Sequence, residues 1–562
     1  MRAWDKIINW GRGLMQRAGA ATGLAREYRD IFDLGGVPAF KAYYQTGIFV
    51  WKALYRGYYE AWHLVPAPTV ASAAATRRLY RLNAAKAVCA ELAGLVWGEQ
   101  AEIRVAMTGW EERRDETTGA VVNPDPLNAF VQDVLRANAF GEHLQPLIEQ
   151  AMALGGGAVK VWAEPDPAFG GRSQSLPSSG GEVARSAGGA DATAYGIKLG
   201  YVSADQFVPL SWDNAAITEG VFISRSAKGK YFYTRLEWQR VEGGRLVIEN
   251  QLYRSDMESG AQPGKLQDIL GARVPLSELY PDLEERVEVA APEGLFSYFR
   301  APVANNLGDG SPLGMSIYGN AMETLHALDI CYDSFVSEFR LGKKRIIVPA
   351  RCVRQVVDPV TGIPRRYFDP SDEVYEAFAA DDKDELKISD DSVALRVEEH
   401  IAALNAFLNI LCLQVGFSAG SFSFDNSGGV KTATEVVSEN SKTFKTLRTV
   451  KNQLAPALEK LVRQIVQVAA LYGIEHEGQS VAALAAGGFE VKITFDDSVT
   501  QDRATNLNEG ISLVNSRLLS KFTFLTDPKY GIGLTEAEAK TELERINEES
   551  RGAYGGDLPP LA

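Results

Sequence analysis

Chemistry at a protein site requires nucleophiles, bases, metal ligands or phosphate-cradling amides at fixed spacing, and several stretches of this sequence meet part of that requirement. Asp496, Asp497 and Asp502 follow the strand-like Ile493-Thr494-Phe495. Three carboxylates in one loop can hold a hard cation; helix N-caps and a solvated loop account for the same residues. Gly416-Phe417-Ser418-Ala419-Gly420 spells G-x-S-x-G. A hydrolase elbow has a strand before its serine and a helix straight after it, whereas here a helical pattern precedes Ser418 and a Gly/Ser-rich stretch follows. Gly428-Gly429-Val430-Lys431-Thr432 approaches a phosphate loop, but Val430 stands where that loop has glycine and no βαβ context surrounds it. The histidines (His63, His143, His326, His400, His476) show no H-x-x-x-H or H-E-x-x-H spacing, so each reads as a surface or core residue. Cys89, Cys331, Cys352 and Cys412 form no C-x-x-C pair and read as buried free thiols. None of these makes a case for catalysis, and no cofactor or metal is expected.

The chain of 562 residues can bury a sizeable core in two to four domains, and its 46% hydrophobic and 23% charged residues are those of a globular protein. Its formal net charge is −14. A protein that grips DNA by neutralising phosphates is normally basic, so this one, if it meets DNA, does so without holding it tightly. No run of about 18 apolar residues exists for a membrane span. Residues 1–19 interleave Trp4, Ile7, Ile8, Leu14 and Met15 with Arg2, Lys6, Arg12 and Arg17; they read as a docking or fraying terminus, with a membrane-surface helix as the alternative.

The elements that must position these residues follow from periodicity. The first 160 residues read mainly as helix, with apolar residues at steps of three and four over 77–96 and again over 124–154. Residues 166–191 are Gly/Ser/Pro-rich and read as a mobile surface loop. Between 195 and 298 the period becomes two, and Glu242-Gly243-Gly244 signals a hairpin; this predicts an antiparallel sheet with one solvated face. Ile317, Ala321, Leu325, Leu328, Tyr332, Phe335 and Phe339 then mark a helix ending at Gly342, and Val397, Ile401, Leu404, Leu408, Leu411 and Val415 mark a second. Between them lies a small β-containing module with a turn at 358–362, and residues 371–400 hold eleven acids against three bases. Residues 418–430 read as a flexible loop with two exposed aromatics, Phe422 and Phe424. Thr432 and Glu435 form a capping box for a long helix that Pro456 should kink. Its row Lys442, Lys445, Arg448 and Lys451 reads as a solvated face, with pairing to a neighbouring subunit as the alternative. A strand over 489–495 and helices over 503–520 and 535–550 complete the chain, whose fold class is therefore α+β.

Four stretches taken in order (82–99, 303–321, 397–425 and 431–444) resemble the portal proteins, or head-tail connectors, of long-tailed double-stranded DNA bacteriophages. The resemblance implies a homo-oligomeric ring, usually of twelve subunits, at one capsid vertex, through which the genome is packaged and ejected. By position it implies a wing over 1–315 (β-rich at 195–300), a stem helix at 316–341, a clip at 342–392, a second stem helix at 393–417 and a tunnel loop at 418–430. The kinked helix and wing return would then span 431–500, and the crown and tail 501–562. Channel-facing candidates are Ser418, Gly420, Ser421, Phe422, Ser423, Phe424, Asp425, Asn426, Gly428 and Gly429, a set with one charge and no base. Clip candidates for partner binding are Asp358, Arg365, Arg366, Asp372, Glu373, Glu376, Asp381 and Asp382. The implied partners are other copies of the chain, double-stranded DNA, the terminase large subunit, head-completion or adaptor proteins, and major capsid and scaffold proteins, with no membrane. The implied location is the virion, reached by assembly in the host cytoplasm. A metal-dependent nucleic-acid enzyme built on Asp496, and a membrane-associated scaffold built on residues 1–19, are the competing readings.

Overall fold

The computed structural model describes residues 27–28, 31–37, 47–67, 74–98, 101–110, 123–165, 195–213, 216–256, 270–281, 283–291, 293–307, 310–342, 346–347, 355–357, 362, 364–366, 389–390, 394–424, 440–495, 503–527, 531, 534 and 539–546. Residues 1–19, the Gly/Ser-rich 166–191, the capping box at Thr432 and Glu435, and the carboxylates Asp496, Asp497 and Asp502 lie outside them.

The body opens with β1 (Glu27–Tyr28), α1 (Phe49–Tyr55), α2 (Glu60–His63) and a ladder of β2 (Leu64–Pro66) with β3 (Thr76–Arg78). Helix α3 (Ala84–Val96) buries Ala85, Val88, Cys89, Leu92 and Val96, the stripe that predicted it. The single helix expected over 124–154 is two, α4 (Pro126–Ala137) and α5 (Phe140–Leu154). Asp125 caps α4 by accepting from the N–H groups of Leu127 (2.9 Å) and Asn128 (3.1 Å), with Pro126 at the first helical position. The break falls at Asn138, whose amide donates to the carbonyls of Val134 and Ile197, and at Ala139, which has φ +45°.

Two strands depart from the helical expectation: β4 (Glu102–Met107) and β5 (Gly156–Pro165). One edge of β4 pairs with a strand near the end of the chain. The other is filled by α4: Gln132 donates to the Ile103 carbonyl (2.6 Å), and Asn128 and Asp125 accept from the N–H groups of Val105 (3.0 Å) and Met107 (2.6 Å).

The period-two segment forms β6 (Tyr195–Ser203), β7 (Phe207–Asp213), β8 (Ala216–Lys228), β9 (Tyr231–Glu242), β10 (Arg245–Asp256), β11 (Gly271–Val274), β12 (Arg286–Val289) and β13 (Phe296–Arg300). They build two antiparallel sheets rather than one. The larger runs β1-β11-β10-β9-β8-β7 with β12 beside β10; the smaller runs β13-β5-β6. The expected hairpin is present: Glu242 pairs with Arg245 across Gly243 and Gly244, whose φ values of 57° and 79° are what a tight two-residue turn requires. The expected solvated face fails along β9, where Leu236 and Trp238 are buried on one side, and on the other Gln239 is buried and Glu237 is only 13% exposed. Lys160 of β5 bonds Glu237 at 2.6 Å, joining the two sheets. Burial pushes that carboxyl up, but Lys160 and Arg235 outweigh it and hold the group below the usual carboxylate range.

Residues 301–321 thread back through the body. Gly155 has φ +94°, and a Cβ there would overlap the carbonyl of Gly314, so two backbones cross in direct contact. Ala301 N–H donates to the Gly155 carbonyl and Ile317 N–H to that of Met152, each at 3.0 Å, and the buried Tyr318 hydroxyl donates to the Trp51 carbonyl at 2.8 Å. Helix α6 (Met322–Leu341) follows, starting six residues later than expected.

Between α6 and α7 (Val397–Val415) lie β14 (Ile346–Ile347) and β17 (Ser389–Asp390), which pair, and β15 (Gln355–Val357) and β16 (Pro364–Arg366), which pair around the expected turn. Helix α8 (Ser441–Leu471) contains Pro456 and buries Leu447, Val450, Leu454, Leu458, Leu461, Ile465 and Val468 against the body. The chain ends with β18 (Glu475–His476), β19 (Gln479–Ser480), α9 (Val481–Ala485), β20 (Phe489–Thr494) paired to β4, α10 (Arg503–Asn515), α11 (Lys521–Thr526) and a helix over 539–546. The fold is α+β.

Candidate functional site

Helices α6 and α7 form an antiparallel hairpin, since Glu338 meets Arg396 while Phe335, one turn earlier, meets His400 one turn later. At 20 residues and about 1.5 Å per residue, α6 is about 30 Å long.

Two carboxylates one turn apart fasten its root. Asp333 takes both terminal nitrogens of Arg77 at 2.7 Å and the Tyr80 N–H at 2.9 Å. The Arg77 hydrogen bonds hold its pKa below the usual carboxylate range against the opposing effect of burial. Asp329 accepts from the Leu82 N–H at 2.8 Å and lies 3.0 Å from Nε2 of buried His63. The Nδ1 of His63 accepts from the Tyr59 N–H at 2.8 Å, which leaves Nε2 to carry the proton and donate to Asp329. At the tip, Arg396 grips Glu338 through Nε (3.1 Å) and a terminal nitrogen (2.8 Å) and pulls its pKa down to about 2.

The heptad seams are only half core. Ala321, Leu325 and Leu328 on α6, and Leu404, Leu408, Leu411 and Val415 on α7, are buried as expected. Phe339 is exposed, and so are Ile330, Leu395, Ile410 and Leu413, the last by 68%. The hairpin therefore exposes five large apolar side chains among the described residues, spread over more than one side of it.

After α7 the chain turns back along it. Ser418 is buried, its N–H donating to Thr443 Oγ1 at 2.9 Å and its Oγ accepting from the Thr443 N–H at 3.3 Å. That joins the end of α7 to the first turn of α8 and gives the serine hydroxyl a structural partner in place of a catalytic base. Asn409 then accepts from the Gly420 N–H at 2.8 Å, and Asn405, one turn back, from the Phe424 N–H at 3.0 Å. Phe422 packs on buried Phe417, centroids 5.2 Å apart, which corrects its expected exposure; Phe424 is 53% exposed as expected. Of the other channel candidates, Ser421 and Ser423 lie on this exposed turn, while Asp425, Asn426, Gly428 and Gly429 fall outside the described residues. Of the clip candidates, Arg365 and Arg366 lie in the β15–β16 ladder; Asp358, Asp372, Glu373, Glu376, Asp381 and Asp382 fall outside.

The row on α8 is not one solvated face. Lys442 donates to the Leu413 carbonyl at the end of α7 (2.6 Å), and Lys451 is buried with its ammonium 5.6 Å from the Phe495 ring centroid; Lys445 and Arg448 are exposed. The histidines serve packing: His326 stacks on Trp62 at 4.7 Å, His143 lies against Tyr201, and His476 approaches Asp133 at 3.1 Å. Among the described residues no three His, Cys, Asp or Glu gather as a metal site, and no helix is long and apolar enough to cross a membrane. Sequence reasoning missed Asp329, Asp333, Asn405 and Asn409, although each pair has the four-residue spacing that sets two side chains on one helix face.

The chain belongs to a family of viral structural proteins: residues 48–555 match the phage portal proteins of the SPP1 Gp6-like type. The match takes in the body, both sheets, the hairpin and all of α8. No curated protein matches the chain in sequence.

Proposed function

We propose that the protein assembles as a ring of about twelve copies at a capsid vertex and forms the channel through which double-stranded DNA enters and leaves. In this reading the body and its sheets are the wing, α6 and α7 the stem, the strands between them the clip, and residues 418–430 the tunnel loop. Helix α8 and β20 return to the wing, and α10 with the helices after it forms the crown. The clip, including Asp358, Arg365, Arg366, Asp372, Glu373, Glu376, Asp381 and Asp382, docks the terminase large subunit and later the head-completion proteins. The wing meets capsid and scaffold proteins. The motor's ATPase supplies the work, and the ring itself has no catalytic role.

The observation that carries this reading, beside family membership, is a helical hairpin, fastened to the body by Asp329 and Asp333, that leaves Ile330, Phe339, Leu395, Ile410 and Leu413 exposed. A ring supplies the missing cover by setting the hairpin of one copy against the next. The acidic balance of −14 suits a conduit, because a basic lining would trap a polymer carrying one charge per about 1.7 Å.

The test is the solution mass with negative-stain images of the same sample. Twelve copies of 61.2 kDa give about 0.73 MDa and rings with a central hole. A monomer that remains monomeric beside scaffold and capsid proteins removes the reading.

A further inference from the structure

The sequence over 76–82 carries three arginines with different environments. Arg77 is neutralised by Asp333. Arg78 and Arg81 are exposed, and neither has a carboxylate partner among the described residues. What they share is one ring: their guanidinium carbons lie 4.9 and 5.6 Å from the centroid of Tyr58. Arg56 is likewise exposed without a carboxylate, and the backbone at Gly57 lies against the Asn83 side chain, so the turn 56–58 and the stretch 81–83 form one surface. Tyr80, 44% exposed, borders it. Two guanidiniums over one ring repel each other, and in a chain of net charge −14 a carboxylate to relieve them would be easy to supply. The aromatic ring instead orders them while leaving their donors toward solvent.

We propose that Arg78 and Arg81, ordered around Tyr58, form with the exposed Arg56, two residues before that ring in the chain, a phosphate-binding surface that holds the backbone of double-stranded DNA. The choice of ligand rests on the portal reading above. The patch is all arginine, whose planar fork matches a phosphate oxygen pair where lysine offers only a point charge. No side chain of the set is placed to read bases in a groove, so binding is independent of sequence. Three phosphate contacts give a salt slope no steeper than about −2.7 in log K against log salt. The hold is weak and local, compatible with a polymer that must keep moving.

The experiment is fluorescence anisotropy of the full-length protein with a short labelled duplex across a salt series, with melting temperature and negative-stain images recorded on the same samples. The wild type should show a slope of about −2 to −2.7. The double variant Arg78→Gln/Arg81→Gln should flatten it by about 2, while Lys445→Gln/Arg448→Gln, exposed bases elsewhere, should leave it unchanged. An unchanged slope in the arginine variant overturns the proposal. So does a loss that comes with a lowered melting temperature or failed assembly, which would mark a structural or subunit contact. Polyglutamate that displaces the duplex as well as competitor DNA of equal charge would mark an acidic protein as the true partner, against the proposal. Rings with a patch-independent slope sink the patch alone; a patch-dependent slope from a chain that stays monomeric even beside scaffold and capsid proteins keeps the patch and sinks the portal reading.

Discussion

Two points on the α6–α7 hairpin, the body-side anchor at Asp333 and the tip at Glu338, use the same chemistry, a carboxylate held by a guanidinium, in different surroundings. At the root, Asp333 is nearly buried and also serves a backbone N–H, so removing it strands partners in a place water reaches poorly. At the tip, Arg396 is two-thirds exposed and solvent can replace whatever is lost. The same carboxylate–guanidinium pairing therefore welds the hairpin to the body at Asp333 and only tethers its two helices at Glu338, leaving the tip freer to adjust.

The strongest way to break that comparison is Asp333→Ala, which leaves the Arg77 guanidinium and the Tyr80 N–H unpartnered. It should lower stability by about 2–3 kcal/mol in chemical denaturation; a loss below about 0.5 kcal/mol would make root and tip equivalent. Next is the strap behind α7. Asn405→Ala/Asn409→Ala should speed amide exchange over residues 418–424 by about tenfold, at a global cost near 1 kcal/mol. Unchanged exchange would show that Phe422 and Ser418 hold the strap unaided. The pH dependence sharpens the same contrast. Both carboxyls are depressed in the folded state, so each contributes stability that is present above its unfolded pKa and lost as pH falls through its folded one. Melting temperature should hold from neutrality to about pH 5 and fall below about pH 4, and Asp333→Asn should remove more of that acid loss than Glu338→Gln. The smallest effect belongs to Glu338→Gln at pH 7, a lowering of the melting temperature smaller than that of Asp333→Ala and shrinking with added salt.

Periodicity made much of this architecture legible. The stripes of α3, α6, α7 and α8 and the alternation of β8 to β10 are local signals, written within one element by one-sided burial. The features that escaped depend on distant partners. Strand β4 is a strand because residues 489–494 and α4 side chains fill its edges, and nothing within 102–107 announces either. The sheet's second buried face depends on β5, which arrives from a different part of the chain. Gly314 lies within the 303–321 stretch, but its reason, contact with the Gly155 backbone, exists only in three dimensions. At the site, the loop's position after α7 was legible, whereas its docking through Asn405, Asn409 and Thr443 was not, because polar residues on a helix give no sign of which are claimed by a returning chain.

The pairing of β4 with β20 also sets a clock. Met107 waits for Phe489, so the body cannot close until residues 489–494 have left the ribosome. At about 5–20 residues per second, the interval between the two strands is on the order of 20–80 s. Throughout it α4 shields one edge of β4 and nothing shields the other. A chain cut short before residue 489 is thereby left without the partner that closes β4, and without a closed body.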